Sequence, residues 1–195
     1  MSSKFSETIS MIFNAPMTCG YSLIIYFALN PAKATIFSIL GVIIFLYIMP
    51  WIPVFLYWLT TNRSPSRLSG RKRIPFIIIG LISYISGAIY FSMLSAEEYI
   101  FLIALHMTYA IFSILLVIGN IKSKPSVHVG GYVAPFLLLA LSVNIIFLGL
   151  LIITPVIGWS RIKLGIHTLN QLIQGFIIGA ISSILALYLT FVVFF

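Results

Sequence analysis

The sequence predicts an all-α fold: a polytopic transmembrane helical bundle with six or seven membrane helices, formed by residues 1–195 as a single domain. Of the 195 residues, 61% are hydrophobic and 7% are charged, whereas a soluble domain carries about a quarter charged residues. The apolar residues form continuous runs, several of about 20 residues, which is the length that a membrane helix needs. Continuous runs favour helices over the alternating strands of a membrane barrel.

Seven apolar runs predict the helices in chain order. The first is interrupted by Asn14, Pro16 and Thr18, and its start is expected to lie flat at the membrane interface. Pro50 and Pro53 are expected to kink the second run. The fifth and sixth runs are short and separated only by "SVN", which predicts a tight helical hairpin. The runs are 9–29, 34–60, 75–94, 98–119, 127–142, 144–158 and 168–193.

Three polar islands interrupt the apolar runs: "TTNRSPSRLSGRKRI" at 60–74, "NIKSKPSVH" at 120–128 and "SRIKLGIHTLNQ" at 160–171. Two predicted helices separate each island from the next, so all three return to one membrane face. That face then carries nine of the eleven lysines and arginines and two of the three histidines. Cytoplasmic loops are commonly basic, but this rule does not require histidines. Two interpretations therefore remain open: the basic residues only set the topology, or they form an anion-binding site.

The residue types on this face suit a phosphate ester or diphosphate. The chain has three acidic residues, all glutamates, so magnesium held by carboxylates is not expected, and we predict neither metal nor cofactor. Arginine side chains would neutralise the phosphate oxygens instead. A neutral histidine can attack phosphorus, and a protonated one can supply a proton to the leaving oxygen. In a helix from His167 onward, Gln171 would lie one turn on and could accept the Nδ1 proton of the imidazole.

These islands resemble the three-part signature of the type-2 phosphatidic acid phosphatase family, membrane lipid phosphatases related to vanadium haloperoxidases. The family pattern is KxxxxxxRP, then PSGH, then SRxxxxxHxxxD. The third part is similar to Ser160, Arg161, His167 and Gln171 at the same spacing, and the second to the stretch 125–128, "PSVH". The resemblance covers residues 60–180, the motif-bearing core.

The first part of the signature matches least well. With Pro75 on the family proline, Arg67 falls on the lysine position and Ile74 on the arginine position, with Arg73 one residue away. Val127 replaces the family glycine and Gln171 the family aspartate. A neutral amide stabilises imidazolium less than a carboxylate does, and the absence of the motif arginine weakens phosphate binding unless Arg73 takes its place.

The resemblance implies a role for each matched residue. His167 would be the nucleophile that forms a phosphohistidine, His128 would protonate the leaving oxygen, and Gln171 would orient the nucleophile. The phosphate would be held by side chains and by backbone N–H groups near Val127. The phosphate-binding residues would be Arg67, Arg73, Ser126, Val127 and Arg161.

The implied function is a metal-independent hydrolase that removes phosphate from a lipid in the surrounding membrane. The substrate class is a polyprenyl phosphate or diphosphate, phosphatidate or phosphatidylglycerophosphate, and the expected partners are this lipid and membrane lipids rather than nucleic acid. The sequence chooses neither the side of the membrane that holds the site nor the oligomeric state. An intramembrane prenyltransferase would need aspartate-rich magnesium motifs, and the chain has no aspartate. A non-catalytic lipid-binding or transport protein of the same fold is the second interpretation.

Overall fold

In this computed structural model, which describes residues 3–62, 68 and 70–194, the chain is an all-α helical bundle. Short 3-10 helices occur at Pro31–Lys33, Arg71–Arg73 and Ile145–Ile153, and a π-helix at Ile43–Ile48. The α-helices are α1 (Ser3–Ile12), α2 (Ala15–Leu29), α3 (Ile36–Val42), α4 (Met49–Thr61), α5 (Ile74–Ser95), α6 (Ile100–Lys122), α7 (Val127–Ser142), α8 (Thr154–Lys163) and α9 (Leu169–Phe194).

The helices make this a multi-pass membrane protein. Within the described residues, five segments are long and apolar enough to cross a membrane. A sixth span is formed if α1 and α2 are taken together, although they meet at a bend of 49°. These segments are Ile36–Thr61, Arg71–Ser95, Ile100–Lys122, Ile145–Lys163, Leu169–Phe194 and the bent pair. The predicted all-α membrane bundle is therefore confirmed, with α7 shorter than a full span.

The second span contains the two prolines that predicted a kink. It runs continuously as α3, the π-helix Ile43–Ile48 and α4. A proline ring clashes with the carbonyl four residues earlier, which for Pro50 is that of Leu46. The wider π-helical turn includes Leu46 and ends at Ile48, two residues before Pro50. Such local adjustments accommodate proline within membrane helices.

The centre of the bundle is α6. In its most apolar window 67% of the residues are buried, compared with 17% in Ile36–Thr61. It packs against α5 and α9, while α7 packs against α9 and α2. Helices α7 and α9 cross with glycine against glycine, because a Cβ atom on Gly179 would lie 2.6 Å from the carbonyl oxygen of Gly130. Small residues allow such close approach between membrane helices.

Hydrogen bonds join the three polar islands at one end of this bundle. The Nε of Arg71 donates to the carbonyl oxygen of Ile121 at 3.2 Å, which links the first island to the second. The backbone N–H of Ser126 donates to the carbonyl oxygen of Gln171 at 2.9 Å, which links the second to the third. The structure thus brings together polar segments that are more than 30 residues apart in the chain.

Candidate functional site

A cavity of about 460 Å³ opens where the three islands meet. Five of the predicted site residues line it: Arg73 from the 3-10 helix before α5, Val127 and His128 from the start of α7, Arg161 from the end of α8 and His167 from the α8–α9 connection. Each island therefore contributes to one cavity. No aspartate or glutamate of the described residues lines it.

His167 is held by the first turn of α9. The helix begins at Leu169, one residue after the start of the predicted run 168–193, so His167 directly precedes the capping residue Thr168. Thr168 Oγ1 accepts the N–H of Gln171 at 3.4 Å, and Gln171 Oε1 accepts the N–H of Thr168 at 3.2 Å. This reciprocal capping box fixes the glutamine side chain. The same Oε1 lies 3.1 Å from Nδ1 of His167.

The glutamine determines which nitrogen of His167 carries the proton. Because Oε1 of Gln171 is an acceptor, Nδ1 donates to it and Nε2 keeps its lone pair. Burial lowers the pKa of His167 from 6.5 to about 4, and the positive charges of Arg161, Lys124 and Arg73 act in the same direction. The imidazole is consequently neutral at pH 7, and neutral imidazole is the form in which a histidine is nucleophilic.

The second histidine lies at the N-terminus of α7. Val127 and His128 are the first two residues of this helix, and both line the cavity. The first N–H groups of a helix lack intrahelical partners and carry partial positive charge, which favours an anion at this point. The His128 ring lies close to the backbone of Ser10 in α1.

Two arginines are buried in the cavity wall, and neither forms an ion pair with a carboxylate of the described residues. The exposed fraction of Arg161 is 3% and that of Arg73 is 6%. Arg161 donates from Nη1 to the hydroxyl of Ser10, and its Nε has no acceptor among the described residues. Arg73 donates from Nη2 to the carbonyl oxygen of Pro125 at 3.4 Å. A buried charge is costly unless it is paired, so an anion in the cavity would be stabilised strongly.

Lys124 adds a third positive charge close to this site. It is half-buried, and its pKa is lowered first by burial and then by the charges of Arg73 and Arg161. Its charge in turn contributes to the low pKa of His167. Sequence comparison with the family signature does not single out this lysine, because it lies just before the "PSVH" stretch.

The remaining predicted residues occupy other positions. Ser126 is fully buried and caps α7, accepting the N–H of Val129 at 3.4 Å, and it does not line the cavity. Its hydroxyl is therefore engaged in the fold. Arg67 lies outside the described residues. Ile74, which stands at the family arginine position, is half-buried at the start of α5 beside the cavity-lining Arg73.

The contribution of α1 to the cavity was not predicted from the sequence. Ser10 and Met11 both line the cavity, and Ser10 contacts both Arg161 and His128. No motif marks these residues. The available signal was the amphipathic pattern of "SKFSETISMI", which buries Ser6, Ile9 and Ser10 and leaves Phe5 and Met11 exposed.

Histidines, cysteines and acidic residues do not gather in groups of three or more that could hold a metal ion anywhere in residues 3–62, 68 and 70–194. Comparisons of the chain with models of protein families, with curated proteins and with solved structures find no match.

Proposed function

We propose that this protein is a lipid phosphate phosphatase of the cell membrane, similar in mechanism to the type-2 phosphatidic acid phosphatases, which hydrolyses a phosphomonoester or diphosphate of a lipid. One observation carries the proposal. The neutral imidazole of His167, with an unprotonated Nε2, faces the same cavity as two buried arginines that have no carboxylate partner in the part of the chain that the structure describes. This arrangement suits attack on a phosphate that the arginines hold.

The reaction follows from these groups. Nε2 of His167 attacks phosphorus and forms a P–N bond while the bond from phosphorus to the lipid oxygen breaks. His128 in its protonated form, which a bound phosphate dianion favours, donates a proton to the departing lipid oxygen. Water then attacks the phosphohistidine, His128 takes up the proton of that water, and inorganic phosphate leaves. Arg73 and Arg161 stabilise the negative charge on the phosphoryl oxygens throughout.

The test is release of phosphate by purified protein in detergent with EDTA, using a panel of prenyl phosphates, prenyl diphosphates, phosphatidate and phosphatidylglycerophosphate. Wild type should release phosphate from at least one of them. His167→Ala should lower the rate by at least about 10⁴-fold, because the nucleophile is removed. Release that survives this substitution, or that requires a divalent metal, would contradict the mechanism.

The chain offers a matched control in His106, a fully buried histidine of α6 that does not line the cavity. Its Nδ1 lies 2.7 Å from the carbonyl oxygen of Leu102, four residues earlier. Asn120 makes the equivalent bond to Leu116 in the same helix, so His106→Asn should keep the local hydrogen bond. This variant should retain phosphate release. If wild type is folded and releases phosphate from no lipid, the lipid-binding or transport interpretation is favoured.

A further inference from the structure

The cavity extends from the histidines into the apolar interior of the bundle. One face of α5 and of the 3-10 turn before it lines the cavity from the polar end inward. The lining residues are Arg73, Phe76, Ile77, Gly80 and Tyr84. This spacing places all five residues on the same side of the helix. At a rise of 1.5 Å per residue the stretch is about 16 Å long. That length is close to half of the hydrocarbon core of a bilayer, which is about 30 Å thick.

Two tyrosines close the inner end of this cavity. The opposite wall is formed by α6, whose Leu116, Ser113 and Tyr109 line it at successive turns. The rings of Tyr84 and Tyr109 lie 5.4 Å apart between centroids, so the two walls meet at this depth. Cys19 of α2 lines the cavity beside them and is itself 3% exposed.

The cavity also reaches the lipid-facing surface of the bundle. One side of the cavity is formed by a single face of the span Ile36–Thr61. Its residues Leu46, Pro50 and Val54 line the cavity at four-residue spacing, which places them on the same side of a helix. Met11 and Trp51 line it too, and they are 64% and 45% exposed. The cavity wall at these two residues is therefore also the outer surface. A hydrophobic chain can reach the cavity sideways from the membrane.

Gly80 indicates that the space is kept open. On the same helix, a Cβ atom on Gly87 would collide with the His106 ring, so the neighbouring helix fills the position of the missing side chain. At Gly80 the nearest atoms to such a Cβ belong to Tyr84, one turn along α5 itself, at 3.4 Å or more. The space beside Gly80 is thus part of the cavity and is not occupied by another helix.

We propose that this cavity binds one hydrocarbon chain of the lipid phosphate, lying along α5, and that the Tyr84–Tyr109 pair limits the length of chain that fits. The inference rests on the proposed function for the position of the headgroup between the arginines. A volume of about 460 Å³ is within the range of sites for one small ligand, roughly 300–1,000 Å³. The hydrocarbon chain of the lipid is either linear or isoprenoid, since both kinds of chain are apolar and flexible.

The experiment measures binding and not turnover, so that it does not depend on catalysis. In the His167→Ala background, Kd is measured for n-alkyl phosphates lengthened by one methylene at a time and for prenyl monophosphates of increasing length. The ratio of Kd between a variant and its background at each length cancels partition of the ligand into detergent. A bulky residue at position 80 should weaken binding only of chains that reach this depth.

Gly80→Leu is the blocking variant, and its expected effect is about tenfold weaker binding of long chains, as overpacking of a well-fitted site would give. Chains that end before Gly80 should show a ratio near one. Tyr84→Ala is the opening variant, and it should improve binding of chains too long for the parent by about tenfold. Gly149→Leu is the matched control, because Gly149 has nothing within 4 Å of an added Cβ atom and is exposed.

If the ratio of Kd values is the same at every chain length for both variants, the tail site is wrong, whereas the proposed phosphatase function is not affected. Length-dependent ratios in a protein that releases no phosphate would support the tail site and contradict the proposed function. A break in the ratios for alkyl but not prenyl phosphates identifies a linear chain, and the reverse identifies an isoprenoid. The Tyr84→Ala arm tests the inference even if Gly80→Leu does not fold.

Discussion

The two ends of the bundle differ in whether their charged side chains form ion pairs. At the end away from the histidines, a cavity of about 370 Å³ is lined by Lys33, Glu97 and Glu98. There the Nζ of Lys33 lies 3.6 Å from a carboxylate oxygen of Glu98. At the histidine end, Arg73 and Arg161 are buried, and none of the carboxylates in residues 3–62, 68 and 70–194 lines their cavity.

The difference supports the proposed ligand site at the histidine end. An exposed ion pair satisfies its own charges and contributes little to stability. Buried arginines without a counter-ion reduce the stability of the folded protein, and proteins commonly keep such strain at sites where a ligand relieves it. Net charge alone, +8 for the whole chain, does not distinguish the two ends. The two ends are distinguished by whether each charged side chain has an oppositely charged partner among the described residues.

Among changes that test this contrast between the two ends, the largest expected effect comes from removing a buried arginine. Arg161→Met should lower kcat/KM for phosphate release by about 10²–10³-fold, the loss seen when one stabilising donor is taken from a transition state. The thermal unfolding temperature in detergent should stay equal or rise, because an unpaired buried charge is replaced by an apolar side chain of similar length. Phosphate release and a thermal melt of the same preparation measure both quantities. A variant that loses stability and keeps activity would show that Arg161 serves the fold and not the ligand.

The helices themselves were largely predictable from the sequence. Lipid requires each span to satisfy its own backbone hydrogen bonds, so an apolar run such as 98–119 gives the position of α6 to within a few residues. Helix ends were less predictable because capping decides them. The capping box of Thr168 and Gln171 starts α9 at Leu169, one residue after the start of the predicted run 168–193. Helix α8 extends to Lys163, into the third polar island.

The candidate site was predictable only where it follows the motif. The spacing of His167 and Gln171 indicated their contact, which the structure contains in a capping box. The first motif predicted that both Arg67 and Arg73 bind phosphate; the structure places Arg73 in the cavity, and Arg67 lies outside the described residues. Ser10 was missed because its contact with Arg161 joins residues 151 positions apart. Such a contact has no local sequence pattern.

A second, intermediate effect concerns the pH dependence of the histidine end. With its pKa lowered to about 4, His167 is protonated and inactive only below about pH 4, so kcat/KM should fall as pH decreases through that value. Gln171→Glu places a carboxylate beside Nδ1, which favours the protonated ring and raises its pKa by about 1–3 units. The acid limb of the kcat/KM profile, which reports the free enzyme, should then move to higher pH by that amount.

Gln174→Glu is the matched control for this change. Gln174 lies on the same helix, and its Oε1 accepts a hydrogen bond from the hydroxyl of Ser123 and not from the imidazole. The same new charge at this more distant position should move the acid limb less. Equal shifts in both variants would mean that the profile reports the general field of the site and not the Gln171 contact with His167.

The smallest expected effect lies at the opposite end. Glu98→Gln removes the partner of Lys33, and because the two side chains are 44% and 32% exposed, the free energy of unfolding should fall by no more than about 1 kcal/mol. Phosphate release should not change, since the pair lies in the other cavity. A thermal melt and the release assay, each read beside Arg161→Met, provide the comparison. A large loss of activity in Glu98→Gln would mean that the paired end also contributes to the reaction, and the contrast between paired and unpaired charge would then no longer identify the site.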